Sequence, residues 1–276
     1  MKTLAALLFL SSSLVVCADD VPAMCRQLLE KHDAAIVSIS AVVKVTVTGS
    51  SGTRAAPREI KLESPACVID AAAGLIVTSL SRIDPSNMPT TSGTKFEASL
   101  QDVRLVLADG TDVPANIVLK DTDLDLAFIR TDLASKEAKG IKLQAIDITD
   151  ATDVGPGDDL IGLSRAEKSV GRVAGVHRGN VYTVAKRPRK LVLTFESYLG
   201  NPVFAANGKF VGIGTTRGIP GSSRGAPAII TAADVQELAT QARAAKVPEP
   251  KKEEKKAEAP QPTPAKKEPA KGSSAH

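Results

Sequence analysis

Ser197-Tyr198-Leu199-Gly200-Asn201-Pro202-Val203-Phe204, followed by Asn207-Gly208-Lys209-Phe210-Val211-Gly212-Ile213, is the stretch on which the reading of this chain turns. Two short apolar runs, 202–205 and 209–214, flank an Asn-Gly pair, the dipeptide of a tight hairpin turn. The same grammar extends upstream. Residues 35–48 alternate Val43, Val45 and Val47 with Lys44, Thr46 and Thr48, the period of a half-buried strand. Further strands are expected at 59–63, 67–70, 75–78, 98–107, 112–119 and 126–130, with Asp109-Gly110 supplying the positive φ of a turn. A polar loop fills 84–94. A second group of strands is expected at 159–163, 171–176, 180–185, 191–195 and 228–230 around the quoted hairpin. Residues 22–31 have helical spacing, and Thr231 with Asp234 reads as a capping box opening a last helix through Ala245. Many short strands closed by one helix argue for an all-β chain of two packed antiparallel barrels.

Three motifs, in order, sharpen this reading. Residues 67–78, Cys67-Val68-Ile69-Asp70-Ala71-Ala72-Ala73-Gly74-Leu75-Ile76-Val77-Thr78, are followed by Ser79-Leu80-Ser81. Residues 121–129, Asp121-Thr122-Asp123-Leu124-Asp125-Leu126-Ala127-Phe128-Ile129, come next, and then the 197–213 stretch. Together they resemble trypsin-like serine proteases of the HtrA/Deg type. That family reads G-V-I-I-D-A-x-x-G-Y-I-V-T-N-N-H, D-x-x-x-D-I-A-L-I and G-N-S-G-G-P-L-V, the last followed by N-G and V-I-G-I. Residues 154–163 and 226–230 also resemble family segments, so the likeness runs over residues 35–245. The resemblance implies two six-stranded barrels, the first over 35–131 and the second over 152–230, then a closing helix at 231–245. The family usually continues into a peptide-binding PDZ domain. This chain continues into a tail, so no PDZ-directed recognition is implied.

The resemblance holds on the scaffold and fails at the chemistry. The histidine position carries Ser81, the aspartate position keeps Asp125, and the serine position carries Leu199. A leucine side chain has no proton to give up and no lone pair, so it cannot attack a carbonyl. A hydroxyl is no substitute for imidazole as a base near neutral pH. Loss of nucleophile or base alone costs on the order of a million-fold in turnover in a serine protease. Ser197 and Asn201 replace two glycines of the nucleophile loop, whose backbone N–H groups stabilise the oxyanion in the family. The sequence therefore points to a protease scaffold without its reaction, binding a protein or peptide in the old cleft at Gly200 and Asn201. The enzyme alternative is a shifted site in which Ser197 is the nucleophile and His177 the base.

The remaining features bound the function. With six Phe, two Tyr and no Trp, the core must be built of Val, Ile, Leu and Ala. Of the formal charge of +4, Lys2 and the tail after Lys246 supply +3, so the domain itself is nearly neutral and carries no footprint for nucleic acid. The three histidines, His32, His177 and His276, are scattered and have no Cys/His spacing, so no metal and no cofactor are expected. His32 reads as a solvated residue in a helix's last turn. Asp121, Asp123 and Asp125 alternate like calcium ligands without the rest of the loop pattern.

Residues 1–18 read as a secretory signal peptide, with Lys2, an apolar run and Val16-Cys17-Ala18 at the cleavage site. The apolar run is too short to span a bilayer comfortably. Export to periplasm or medium follows, with acylation of Cys17 as the lipoprotein alternative. Cys25 and Cys67 then form either a disulfide or two buried thiols. Residues 247–276 hold seven Lys, five Glu and six Pro and no aromatic residue, a composition that stays disordered. Such a tail can attach to an anionic envelope surface. The basic run Lys186-Arg187-Pro188-Arg189-Lys190 is a loop between strands that suits either solvent or an anion.

Overall fold

The computed structural model describes residues 21–49, 52–87, 95–218 and 225–247. Residues 1–20 with Cys17, residues 248–276 with His276, and residues 88–94 of the polar loop lie outside them. Six strands, β1 (Ile36–Thr48), β2 (Arg58–Asp70), β3 (Leu75–Ser79), β4 (Lys95–Val106), β5 (Asp112–Asp121) and β6 (Leu126–Thr131), close into one antiparallel barrel in the order β1-β2-β3-β6-β5-β4. Six more, β7 (Asp159–Arg165), β8 (Ala174–Ala185), β9 (Leu191–Thr194), β10 (Pro202–Ala205), β11 (Phe210–Gly218) and β12 (Gly225–Thr231), close into a second. Its cyclic order, β10-β11-β12-β9-β8-β7, repeats the connectivity of the first. Helix α1 (Val21–His32) precedes the barrels and α2 (Ala232–Ala244) follows them. The two six-stranded barrels and two short helices are those the sequence implied.

Strand periodicity explains how the two barrels share one core. Along β3, Ile76 faces the interior of the first barrel while Leu75 and Val77 face a second apolar layer at the seam. That seam layer also takes Phe128 from β6, Phe204 and Phe210 from β10 and β11, and Val235 and Ala239 from α2. Strands buried on both faces are what lock the barrels together. Burying a side chain the size of Phe128 or Leu75 contributes about 1.5–3 kcal/mol.

Several local expectations need correction. Residues 59–63 and 67–70 are not two strands but one, β2, running through Pro65. Pro65 pairs with Ser38 on β1, whereas pairing with β3 begins only at Cys67, so no neighbour on that side requires the missing N–H. Residues 174–185 likewise form one strand through Gly179, where a Cβ would stand 2.6 Å from the Tyr198 hydroxyl and from Glu196 Cγ. Gly171 and Arg172 belong to the preceding turn, both with positive φ. The Thr231 hydroxyl does not cap α2; it donates to the Asp234 carboxylate at 2.9 Å, and Asp234 in turn pairs with Arg189 at 3.1 Å. Cys25 and Cys67 are free, buried thiols in the seam layer, and burial raises the Cys67 thiol far above its ordinary value. The disulfide alternative is not realised.

His32 departs furthest from expectation. It is 5% exposed and stacks on Phe204, ring centroids 5.1 Å apart and planes 18° apart. The last turn of α1 is therefore packed against the second barrel rather than against solvent. Its Nδ1 is buried without a hydrogen-bond partner among the described residues, and burial, with a smaller push from Lys31, lowers its pKa to about 4.

Candidate functional site

The three positions that the motifs single out fall at the seam between the barrels. Asp125 sits in the turn before β6 with φ 55°, a left-handed conformation that Asp tolerates better than most residues. The residue is 9% exposed, and its carboxylate accepts four hydrogen bonds. The Ser79 hydroxyl donates to Oδ2 at 2.6 Å, Ser81 at 3.0 Å and Thr215 at 2.8 Å, while the Ser81 backbone N–H donates to Oδ1 at 2.6 Å. Ser81 thus stands where a base would stand, but its proton points back at Asp125. Thr215 brings β11 of the second barrel to this carboxylate, so Asp125 joins the two barrels.

The loop 197–201 packs by close backbone contact. Gly200 has φ 76°, and a Cβ there would fall 2.4 Å from the Pro65 carbonyl oxygen, which already accepts the Thr78 hydroxyl at 2.6 Å. Its N–H donates to the Gly214 carbonyl at 2.9 Å. Gly200 is buried, and its close approach to Pro65 and Gly214 accounts for the glycine by packing alone. Leu199 is half-buried and joined to Gly214 by an isolated parallel bridge.

Tyr198 fixes the loop from the other side. Its ring lies against Gly162, where a Cβ would meet Cδ1 at 2.3 Å, and its backbone lies against Gly214. With Gly179 at the hydroxyl, three glycines make the slot that one tyrosine fills. The hydroxyl is buried without a partner among the described residues, and burial, then the Glu196 charge, pushes its pKa up to about 12.

The shifted pair Ser197 and His177 is not assembled. His177 Nε2 lies 2.6 Å from the Ser164 hydroxyl on the neighbouring strand, and the exposed Ser197 side chain has no hydrogen-bond partner among the described residues. Ser164 and His177 line a cavity of about 750 Å³ at the seam, together with Pro65, Arg82 and Asn201. Ser81, Asp125, Leu199 and Gly200 do not line it; their chain neighbours Arg82 and Asn201 do. Asn201 is 5% exposed, and its Oδ1 has no partner among the described residues.

Arg165 and Glu63 are part of the cavity wall, and each is held by ion pairs or hydrogen bonds that cross the seam. Arg165 donates to the carbonyls of Ile36 and Arg172 at 2.7 Å each and to the Asp33 carboxylate at 2.8 Å, and also bonds the Asp33 carbonyl. Arg172 makes a two-pronged pair with Glu63 on β2, which holds that carboxyl below its ordinary range. Both guanidinium groups are fully engaged across the seam.

The other candidates are ordinary parts of the fold. Asp121 accepts the Leu124 N–H at 2.8 Å and Asp123 is exposed. In the basic run, Arg189 pairs with Asp234, and Lys190 with Asp153 at 2.5 Å. Among the described residues no group of three or more His, Cys, Asp or Glu is placed to hold a metal ion, and no helix is long and apolar enough to cross a membrane. The sequence reading missed Ser79 and Thr215 as partners of Asp125. The spacing of Ser79 and Ser81, two apart, was the available signal for the first; nothing local announces the second.

A family comparison agrees with this fold. The trypsin-like peptidase domain family matches residues 65–213. Among solved structures, the apo crystal structure of the MamO protease domain from Magnetospirillum magneticum is similar. It is 19% identical, with a TM-score of 0.45, covering 72% of this chain and 95% of that one. No curated protein sequence matches the chain. The family match spans more than half of the chain, from β2 to β11, and the chain belongs to the trypsin-like peptidase domain family.

Proposed function

We propose that this chain is an exported trypsin-like domain that binds protein or peptide segments at the barrel seam and does not cleave them. One observation carries the reading. The Asp125 carboxylate is filled by hydroxyl and amide donors, with Ser81 where a base would be, while Leu199 occupies the nucleophile position. A base needs a free lone pair near the proton it takes, and a nucleophile needs an atom that can carry charge. Neither requirement is met at these positions. The buried, unpartnered Asn201 carboxamide in the adjoining cavity favours binding, because such a group is costly to leave unpaired and a ligand amide satisfies it. The signal-like residues 1–18 support export.

The test uses the chain from residue 19 onward with reduced, carboxamidomethylated lysozyme as a permanently unfolded substrate. The expected result is complex formation with no cleavage and no labelling by a serine-directed fluorophosphonate. Labelling or cleavage that vanishes in Ser197→Ala overturns the non-catalytic reading. Cell fractionation of a tagged chain checks export separately, and retention in the cytoplasm overturns that part.

A further inference from the structure

We propose that the seam cavity takes acidic peptide segments, its ligand pairing main-chain amide with Asn201 and side-chain carboxylates with Arg82 and Lys168. The inference rests on the peptide-binding reading above and names the ligand class for that site. It begins from which polar groups in the cavity are already committed. Arg165 is spent on backbone carbonyls and Asp33, and Glu63 is held by Arg172, so neither is left for a ligand. Four groups remain. Arg82 and Lys168 are exposed at the cavity, and neither side chain has an ion-pair or hydrogen-bond partner among the described residues. They come from different barrels and face one space. Against these two cations stands one uncommitted acid, Glu167.

The third group is the Ser164–His177 pair. If the serine donates to Nε2, the Nδ1–H is left over; if Nε2–H donates, the serine O–H is left over. In either tautomer this cavity-lining pair keeps one unused donor, which suits an acceptor-rich ligand. The fourth is Asn201, whose carboxamide, more than nine-tenths buried and unpartnered at Oδ1, lines the same cavity. A carboxamide offers a donor and an acceptor side by side, the complement of a peptide unit. An amide together with carboxylates is an acidic peptide. A bare inorganic anion would satisfy the cations and leave Asn201 Oδ1 without a donor. Val173, 61% exposed, and Pro65 give the cavity apolar surface for the methylenes of glutamate.

The experiment measures fluorescence anisotropy of fluorescein-labelled heptaglutamate, heptalysine and a glycine–serine heptamer with the chain from residue 19 onward at low salt. Heptaglutamate is expected to bind, and the other two to bind at least tenfold more weakly. The double variant Arg82→Ala/Lys168→Ala is expected to weaken heptaglutamate about tenfold, each exposed cation counting for a few-fold. Asn201→Ala is expected to weaken it several-fold without changing its salt dependence, since no charge is removed. Removing two cations elsewhere, in Arg187→Ala/Arg217→Ala, is expected to leave binding unchanged. Arg82 and Lys168 are exposed, so their variants keep the fold, and a melting curve verifies this. Equal weakening by both double variants, or equal binding of heptalysine, overturns the proposal, because either marks unspecific attraction. Binding of unfolded lysozyme without binding of heptaglutamate overturns the acidic preference and leaves the peptide-binding reading standing. Failure of both probes overturns both.

Discussion

Acidification singles out His32, and the size of the effect follows from its surroundings. The imidazole is buried between α1 and Phe204, with Nδ1 unpartnered among the described residues, and its pKa falls from 6.5 to about 4. An unfolded chain binds the proton below pH 6.5, whereas the folded chain resists it until about pH 4. Between these values the unfolded state holds more protons, so stability falls as pH falls. The contribution is fully present above pH 6.5 and gone below the folded value. Linkage puts the loss at about 2 kcal/mol by pH 5 and about 3 kcal/mol by pH 4. The carboxylates with lowered values, Glu63, Asp70, Asp84 and Asp147 among them, begin to weaken the fold only near their ordinary values of 4.5 and 3.8. The interval from pH 6.5 to 5 therefore belongs to the histidine. Urea unfolding at pH 7, 6 and 5 reads the effect, with His32→Phe as the comparison. Phenylalanine keeps the stack on Phe204 and removes the orphaned nitrogen. That variant is expected to be as stable as the parent or about 1 kcal/mol more stable at pH 7. Its stability should be nearly flat down to pH 5. The same slope in both proteins would refute the argument.

Other perturbations test other parts of the seam. Gly200→Ala drives a methyl into the Pro65 carbonyl at positive φ, and denaturant unfolding is expected to show a loss of about 2–4 kcal/mol. Tyr198→Phe removes a buried hydroxyl that has no partner among the described residues, so stability is expected to change by less than about 1 kcal/mol. Mass spectrometry after alkylation in denaturant without reductant should find two modified cysteines in a chain starting at residue 19; none modified would mean that Cys25 and Cys67 are bonded. Restoring the absent residues in Ser81→His/Leu199→Ser is expected to yield no cleavage of unfolded lysozyme above the parent's background. Ser197 and Asn201 still replace the loop glycines, and Ser79 and Thr215 still hold Asp125.

What could be read from the residues, and what could not, divides by range. The places of Asp125, Ser81 and Leu199 were legible because each is embedded in a local motif whose order carries the fold. The strands were legible wherever alternation ran unbroken. Pro65 and Gly179 looked like breaks because the sequence does not reveal that one faces no partner and the other faces Tyr198. The destination of His177, the burial of His32 and the Thr215 bond to Asp125 all depend on which strand lies beside which, across distances that local pattern does not span.

Arg165 gives the molecule an unusual indivisibility. Its guanidinium leaves β7 and ends on Ile36 and Asp33, at the very start of the first barrel. Each half of the polypeptide thus completes polar groups that the other half buries, and neither is a self-sufficient module that could be inherited, swapped or excised alone. A cut in the connector between β6 and β7 should yield two fragments that stay insoluble apart and recover only when made together.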